Sequence, residues 1–154
     1  MNAYPDTSFL CALYRQQDNS AQALAWRARM AEPLHVTRLL LWEFRQSARL
    51  QAFRHSRDRT AGYPLHEADR MIAKLSEHVD ADMVKIMHID AIDLLVTAER
   101  ISKARTFAGG HRSFDLLHVA TAVELGAKEF LSFDSNQNSL AAAEGMTVPL
   151  QHAR

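Results

Sequence analysis

Ser113-Phe114-Asp115-Leu116-Leu117-His118-Val119-Ala120-Thr121-Ala122-Val123-Glu124-Leu125-Gly126, followed closely by Phe130-Leu131-Ser132-Phe133-Asp134, is the stretch on which the fold turns. Its first part reads as a helix over Ser113 to Leu125. A serine able to cap free amides opens it, neither Pro nor Gly interrupts it, and Gly126 stops it. The apolar run Phe130 to Phe133 reads as a short buried strand that ends on a carboxylate, Asp134. Helix, glycine stop and buried strand together make one step of an alternating α/β chain.

The same alternation extends outward. Asn2 to Asp6 reads as a first strand that breaks into a helix at Asp6 or Thr7, and that helix runs to about Tyr14 or Arg15. A second, Ala-rich helix starts near Asn19 or Ser20 and reaches Ala31, where Pro33 ends it. Leu34-His35-Val36 is a brief strand, and Thr37 is placed to cap a long helix over Arg38 to Arg57 that carries Glu43 in its second turn. Gly62-Tyr63-Pro64 separates it from a helix over Leu65 to His78. Met83 to Ile89 reads as extended, and Asp90 or Asp93 opens a helix to Phe107. Downstream, Asn136 to Glu144 reads as a helix closed by Gly145, and Thr147 to Leu150 as a final strand. The expected fold class is therefore α/β: a central parallel sheet of about four to five short strands flanked by helices on both sides. Residues 1–154 are expected to form a single domain.

Bulk properties bound the function. An apolar fraction of 47% with 23% charged residues is ordinary for a globular protein with a real core. Lys plus Arg equals Asp plus Glu at 18 each, so no global positive field announces a polyanionic partner. Arg38, Arg45, Lys103, Arg105, His111 and Arg112 nevertheless supply a local basic rim. Cys11 stands alone, which excludes an internal disulfide and a Cys-rich zinc site and suits a reducing cytoplasm. No apolar run approaches the roughly 18 residues of a membrane span, and a cytoplasmic location is expected.

Four carboxylates stand in or beside apolar runs: Asp6, Glu43, Asp115 and Asp134. A lone charge in such surroundings is costly to desolvate. In a parallel α/β sheet ligands collect at the C-terminal strand ends. Asp6 and Asp134 each follow a strand, and Glu43 and Asp115 each lie near the start of a helix entering from that edge. The four are expected to share one crevice, where a hard divalent cation such as Mg²⁺ or Mn²⁺ would balance their charge. Such a site suits metal-assisted phosphodiester hydrolysis. Thr7 and Ser8, beside Asp6, serve as helix caps or position carboxylate and water. Ser8 and Arg112 are the candidate substrate contacts, and His118, one turn after Asp115, reads first as a hydrogen-bonded core histidine. The apolar faces around Ala21 to Ala31 and Leu39 to Phe53 read first as core and second as a groove for a partner protein or a dimer seam.

These segments, Asp6-Thr7-Ser8, the helical Glu43, Phe114 to Ala122, and Leu131-Ser132-Phe133-Asp134, carry a resemblance. The chain resembles PIN-domain proteins, and within them the VapC-like ribonuclease toxins of bacterial type II toxin–antitoxin pairs. That resemblance implies a PIN fold and Mg²⁺- or Mn²⁺-dependent endoribonuclease activity on RNA. It also implies an acidic site at Asp6, Glu43, Asp115 and Asp134, a homodimer, and inhibition by a small cognate antitoxin. The chain is longer than many such toxins between the long central helix and Asp115. Two other readings stand beside the toxin: a housekeeping RNA-processing nuclease of the same fold, and a catalytically silent binding or oligomerisation module.

Overall fold

A computed structural model describes residues 1–150. Strand β1 (Ala3–Pro5) is buried throughout and passes directly into helix α1 (Thr7–Tyr14). The turn is made by Asp6, whose carboxylate accepts the Phe9 amide at 2.9 Å and so caps the helix. Helix α2 (Ser20–Ala28) stops short of the expected Ala31, and strand β2 (Leu34–Thr37) follows. Thr37 ends that strand and also accepts the Leu40 amide, which starts the long helix α3 (Arg38–Arg57). Beyond it come α4 (Leu65–Asp80), β3 (Val84–Met87) and α5 (Ala91–Gly109), the last opened by the Asp90 carboxylate on the amides of Ile92 and Asp93. Helix α6 (Ser113–Glu124), strand β4 (Glu129–Leu131) and helix α7 (Ser135–Ala143) complete the order.

All strand pairing is parallel, as alternation with helices requires. β1 pairs with β4, Ala3 opposite Glu129 and Pro5 opposite Leu131, while β2 pairs with β3, Leu34 opposite Val84 and Thr37 opposite Met87. The described residues thus hold four short strands in two pairs, with β1 beside β2. Three sequence expectations are corrected. Thr147 to Leu150 is not a strand, because only Thr147 bridges Glu129. β4 ends at Leu131 rather than Phe133, since Ser132 turns its hydroxyl inward to Asp6. Ser113 is the first helical residue of α6 and not its cap, a position that extended Arg112 fills without a side-chain bond.

The core joins the layers through aromatic contacts. Phe9 meets Trp26 edge-on, with centroids 5.6 Å apart, and stacks at 6.4 Å on Phe133; Tyr14 meets Phe44 at 5.8 Å. Burying these rings pins α1 between α2, α3 and the end of β4, which fixes Asp6 against Ser132.

Candidate active site

Parallel pairing sets the ends of β1 and β4 side by side, and the site begins there. The Asp6 amide donates to Leu131 O at 2.9 Å, continuing the ladder one residue past the strand. Only 1% of Asp6 is exposed. Its Oδ1 accepts from Ser8 Oγ at 2.7 Å and from the Phe9 amide, and its Oδ2 accepts from Ser132 Oγ at 2.6 Å. Burial pushes the Asp6 carboxyl above the ordinary aspartate range, against the opposing hydrogen bonds of Ser132, Ser8 and Phe9 and the charge of His118. Ser8, expected at substrate, spends its hydroxyl here: it donates to Asp6 and accepts the Phe133 amide at 2.9 Å.

Glu43 reaches the same place from α3. Helix periodicity buries Leu40, Leu41 and Phe44 and leaves Trp42 outward, so Glu43 lies on the boundary between core and solvent. Its Oε2 accepts from Thr7 Oγ1 and from His118 Nε2, the latter at 2.6 Å. A carboxylate only accepts, so Nε2 carries the hydrogen. His118 Nδ1 faces the Tyr4 hydroxyl at 3.3 Å, and that hydroxyl lies 3.3 Å from Thr37 Oγ1. Burial alone would push the Glu43 carboxyl up. The His118 hydrogen bond and charge, with Thr7 and Arg112, outweigh it and hold Glu43 below its ordinary range. His118 is a buried core histidine, as expected, and at the same time the partner of Glu43.

Asp115 sits buried in the first turn of α6, one turn before His118, and its Oδ2 accepts from Arg112 Nε at 3.2 Å. Asp134 caps α7: its Oδ1 accepts the amides of Asn136 and Gln137 at 2.8 and 3.0 Å. Its own amide donates to Ser132 Oγ at 2.9 Å. Hydrogen bonds therefore link Asp6 to Asp134 through Ser132. Thr7, next to Asp6, is bound to Glu43, and Glu43 is bound to the helix that carries Asp115. Arg112 is placed on Asp115, with its side chain mostly in solvent.

The donor set is all oxygen, as Mg²⁺ and Mn²⁺ require. Among the described residues Glu43 Oε1, Asp115 Oδ1 and Asp134 Oδ2 accept no hydrogen bond, so each has an oxygen to offer. As the side chains stand, no three His, Cys, Asp or Glu among the described residues are gathered into a metal-holding group. The chemistry of the residues fits a hard cation, and their present partners are hydroxyls, backbone amides, His118 and Arg112.

Ser132, Tyr4 and Thr37 are the site residues that sequence reasoning passed over. Ser132 left one signal, a hydroxyl in an otherwise apolar strand end. Thr37 was legible only as a helix cap, and Tyr4, in the middle of β1, left none.

Comparison with known proteins agrees with this architecture. The fold is similar to that of Mycobacterium tuberculosis VapC20, whose crystal structure is described as that of a Sarcin-Ricin loop cleaving toxin. The TM-score is 0.63 and the identity 18%, over 95% of this chain and 97% of that one. Among curated proteins none matches by sequence. A family model described as "PIN domain" matches residues 3–143, and the chain therefore belongs to the PIN domain family.

Proposed function

We propose that the protein is a divalent-metal-dependent endoribonuclease and the toxin of a toxin–antitoxin pair, working in the cytoplasm as a homodimer that a small cognate antitoxin inhibits. The observation that carries the nuclease reading is that Ser132 ties Asp6 to Asp134 at the ends of β1 and β4, while Glu43 is bound to Thr7 beside Asp6 and to His118 on the helix that carries Asp115. The toxin reading leans on the fold it shares with VapC20. No helix among the described residues is long and apolar enough to cross a membrane.

In this reading Glu43, Asp115 and Asp134 would hold Mg²⁺ or Mn²⁺ through the oxygens that accept no hydrogen bond, and Asp6 would join them by a further lone pair on an oxygen that already accepts from Ser8, Phe9 or Ser132. When bound, the ion supplies Lewis-acid polarisation of the phosphodiester and activation of water. The chain's own work is orientation. Ser8, Ser132 and the Phe9 amide favour the ionised form of Asp6 against the opposing effect of burial, and His118 with Thr7 holds Glu43 by Oε2 and leaves Oε1 without a partner. Arg112 exchanges Asp115 for a substrate phosphate, to which a guanidinium is well matched.

Incubating total RNA with the protein and Mn²⁺ or Mg²⁺ tests this, with EDTA and the variants Asp6→Ala and Asp115→Ala as controls. Cleavage is expected from the wild type alone and only with metal. Equal cleavage by wild type and variants refutes the assignment. The ungathered carboxylates favour one second reading, a silent PIN-fold binding module. Mn²⁺ binding without any RNA cleavage would select it.

A further inference from the structure

Two aromatic rings stand in the open beside the acidic site. Trp42 is 52% exposed and Phe114 is 38% exposed, and their rings stack with centroids 5.8 Å apart and planes 28° from parallel. Each immediately precedes a site carboxylate in the chain, Trp42 before Glu43 on α3 and Phe114 before Asp115 on α6. The pair therefore spans the two helices that deliver those carboxylates. Each ring covers one face of the other and leaves apolar area in water, which favours any flat apolar group that covers the remainder.

The charges around the pair say what kind of group this is. Arg38 and Arg45 lie one turn before and one turn after Trp42 on α3, and Arg49 continues that face. Among the described residues none of these three is ion-paired to a carboxylate. Arg112 adds a largely exposed guanidinium next to Phe114. Exposed aromatics interleaved with free cations suit a single nucleic-acid strand, whose bases stack while its phosphates meet the arginines. A duplex keeps its bases in its own stack and cannot use the rings.

We propose that Trp42 and Phe114 form a stacking platform for one unpaired base of the RNA, holding it beside the acidic site while Arg38, Arg45 and Arg112 meet the flanking phosphates. This rests on the ribonuclease reading and adds to it two residues, Trp42 and Phe114, that grip a base next to the acidic site.

The test is fluorescence anisotropy with a labelled single-stranded RNA in EDTA, where no cleavage intervenes. Its complementary duplex and a series carrying one abasic residue at each position in turn serve as comparators. Because Trp42 is exposed, Trp42→Ala is expected to fold, which circular dichroism verifies. It should weaken single-strand binding by roughly 5–150-fold, the factor that corresponds to ~1–3 kcal/mol of stacking per base. Trp42→Phe should stay within about 3-fold, since every aromatic ring offers a stacking face. The Trp42→Ala effect should vanish for the RNA that lacks its base at the stacked position. Unchanged binding by Trp42→Ala, or duplex bound as tightly as single strand, overturns the platform. So does a variant that only changes the protein's oligomeric mass, which would make the pair a protein contact. Metal-dependent cleavage in a parallel assay separates the two levels. A wild type that cuts RNA while Trp42→Ala cuts and binds equally well refutes the platform alone; a wild type that neither binds nor cuts refutes both.

Discussion

Ser132 Oγ donates to Asp6 Oδ2 at 2.6 Å, closing a contact across 126 residues of chain at the ends of two parallel strands. The bond is one of three that a nearly sealed carboxylate receives, so its loss leaves a buried charge less solvated. Ser132→Ala is expected to cost about 1–3 kcal/mol, the usual cost of stranding a buried polar partner. In an Asp6→Asn background the same change should cost measurably less. A thermal-denaturation double-mutant cycle reads the coupling, and additive effects would show that Ser132 does not serve Asp6.

Asp6 itself is held at a cost in stability. Its folded carboxyl is raised above 3.8 by burial, so the charged form is disfavoured in the native state. For a raised carboxyl, stability is full below the unfolded value and is lost as pH rises through the folded one. Asp6→Asn should therefore be more stable than wild type at neutral pH, with Tm higher by about 2–4 °C for each ~1 kcal/mol gained. The gap should narrow as pH falls toward 3.8. The variant should also lose RNA cleavage and any stabilisation by Mn²⁺.

Glu43 predicts the opposite sign. Despite burial, His118 and Thr7 hold its carboxyl below 4.5, so its contribution is present above that value and is lost as pH falls through the lower folded one. Glu43→Gln should have a lower Tm than wild type at neutral pH and converge with it in acid. A Tm-versus-pH series for both variants distinguishes the two carboxylates directly. Curves of the same sign would contradict this electrostatic assignment.

Arg112 donates to Asp115, and on the proposed metal reading it competes with the cation for that carboxylate. Removing its guanidinium in Arg112→Ala should tighten Mn²⁺ binding by roughly 2–5-fold, in keeping with an exposed ion pair worth ~0.2–1 kcal/mol. Affinity for RNA should fall in the same variant. Calorimetric titration with Mn²⁺ and anisotropy with RNA measure the two effects separately, and a parallel loss of both would make Arg112 a structural support instead.

Gly62 joins α3 to α4 with φ +61°, and a Cβ there would lie 2.1 Å from the Gln51 carbonyl oxygen. Gly126 after α6 also has positive φ, yet open space surrounds it. Gly126→Ala should cost about 1–2 kcal/mol from left-handed backbone alone, and Gly62→Ala should cost clearly more because backbone must shift. Chemical denaturation of both variants checks the ranking.

Much of this site was legible because carboxylates in apolar surroundings are conspicuous. Asp6 and Asp134 follow strands, Glu43 sits between Trp42 and Phe44, and Asp115 lies between Phe114 and Leu116 in a largely apolar helix. The helices were legible from periodicity and caps, with Thr37 and Asp90 capping as their chemistry suggested. What escaped depends on tertiary pairing. The roles of Ser132 and Tyr4 arise from contacts with distant residues, which no local pattern encodes. The final strand failed because alternation near Thr147 to Leu150 signals extended chain, whereas a strand also needs a ladder, and only Thr147 finds a partner. Ser8 shows the same limit: its place beside Asp6 is plain in the sequence, but the Phe133 amide that its hydroxyl accepts comes from a distant segment.

Pairing of β1 with β4 has a consequence for biosynthesis. Residues 3–5 are made long before residues 129–131, the neighbour that completes their ladder. Until translation has passed Ser132, the pocket around Asp6 lacks a wall, and early helices can form without producing a competent nuclease. On the proposed nuclease reading, the cell is thus shielded while the preceding residues are made, because cutting power arrives only once Ser132 has joined the polypeptide.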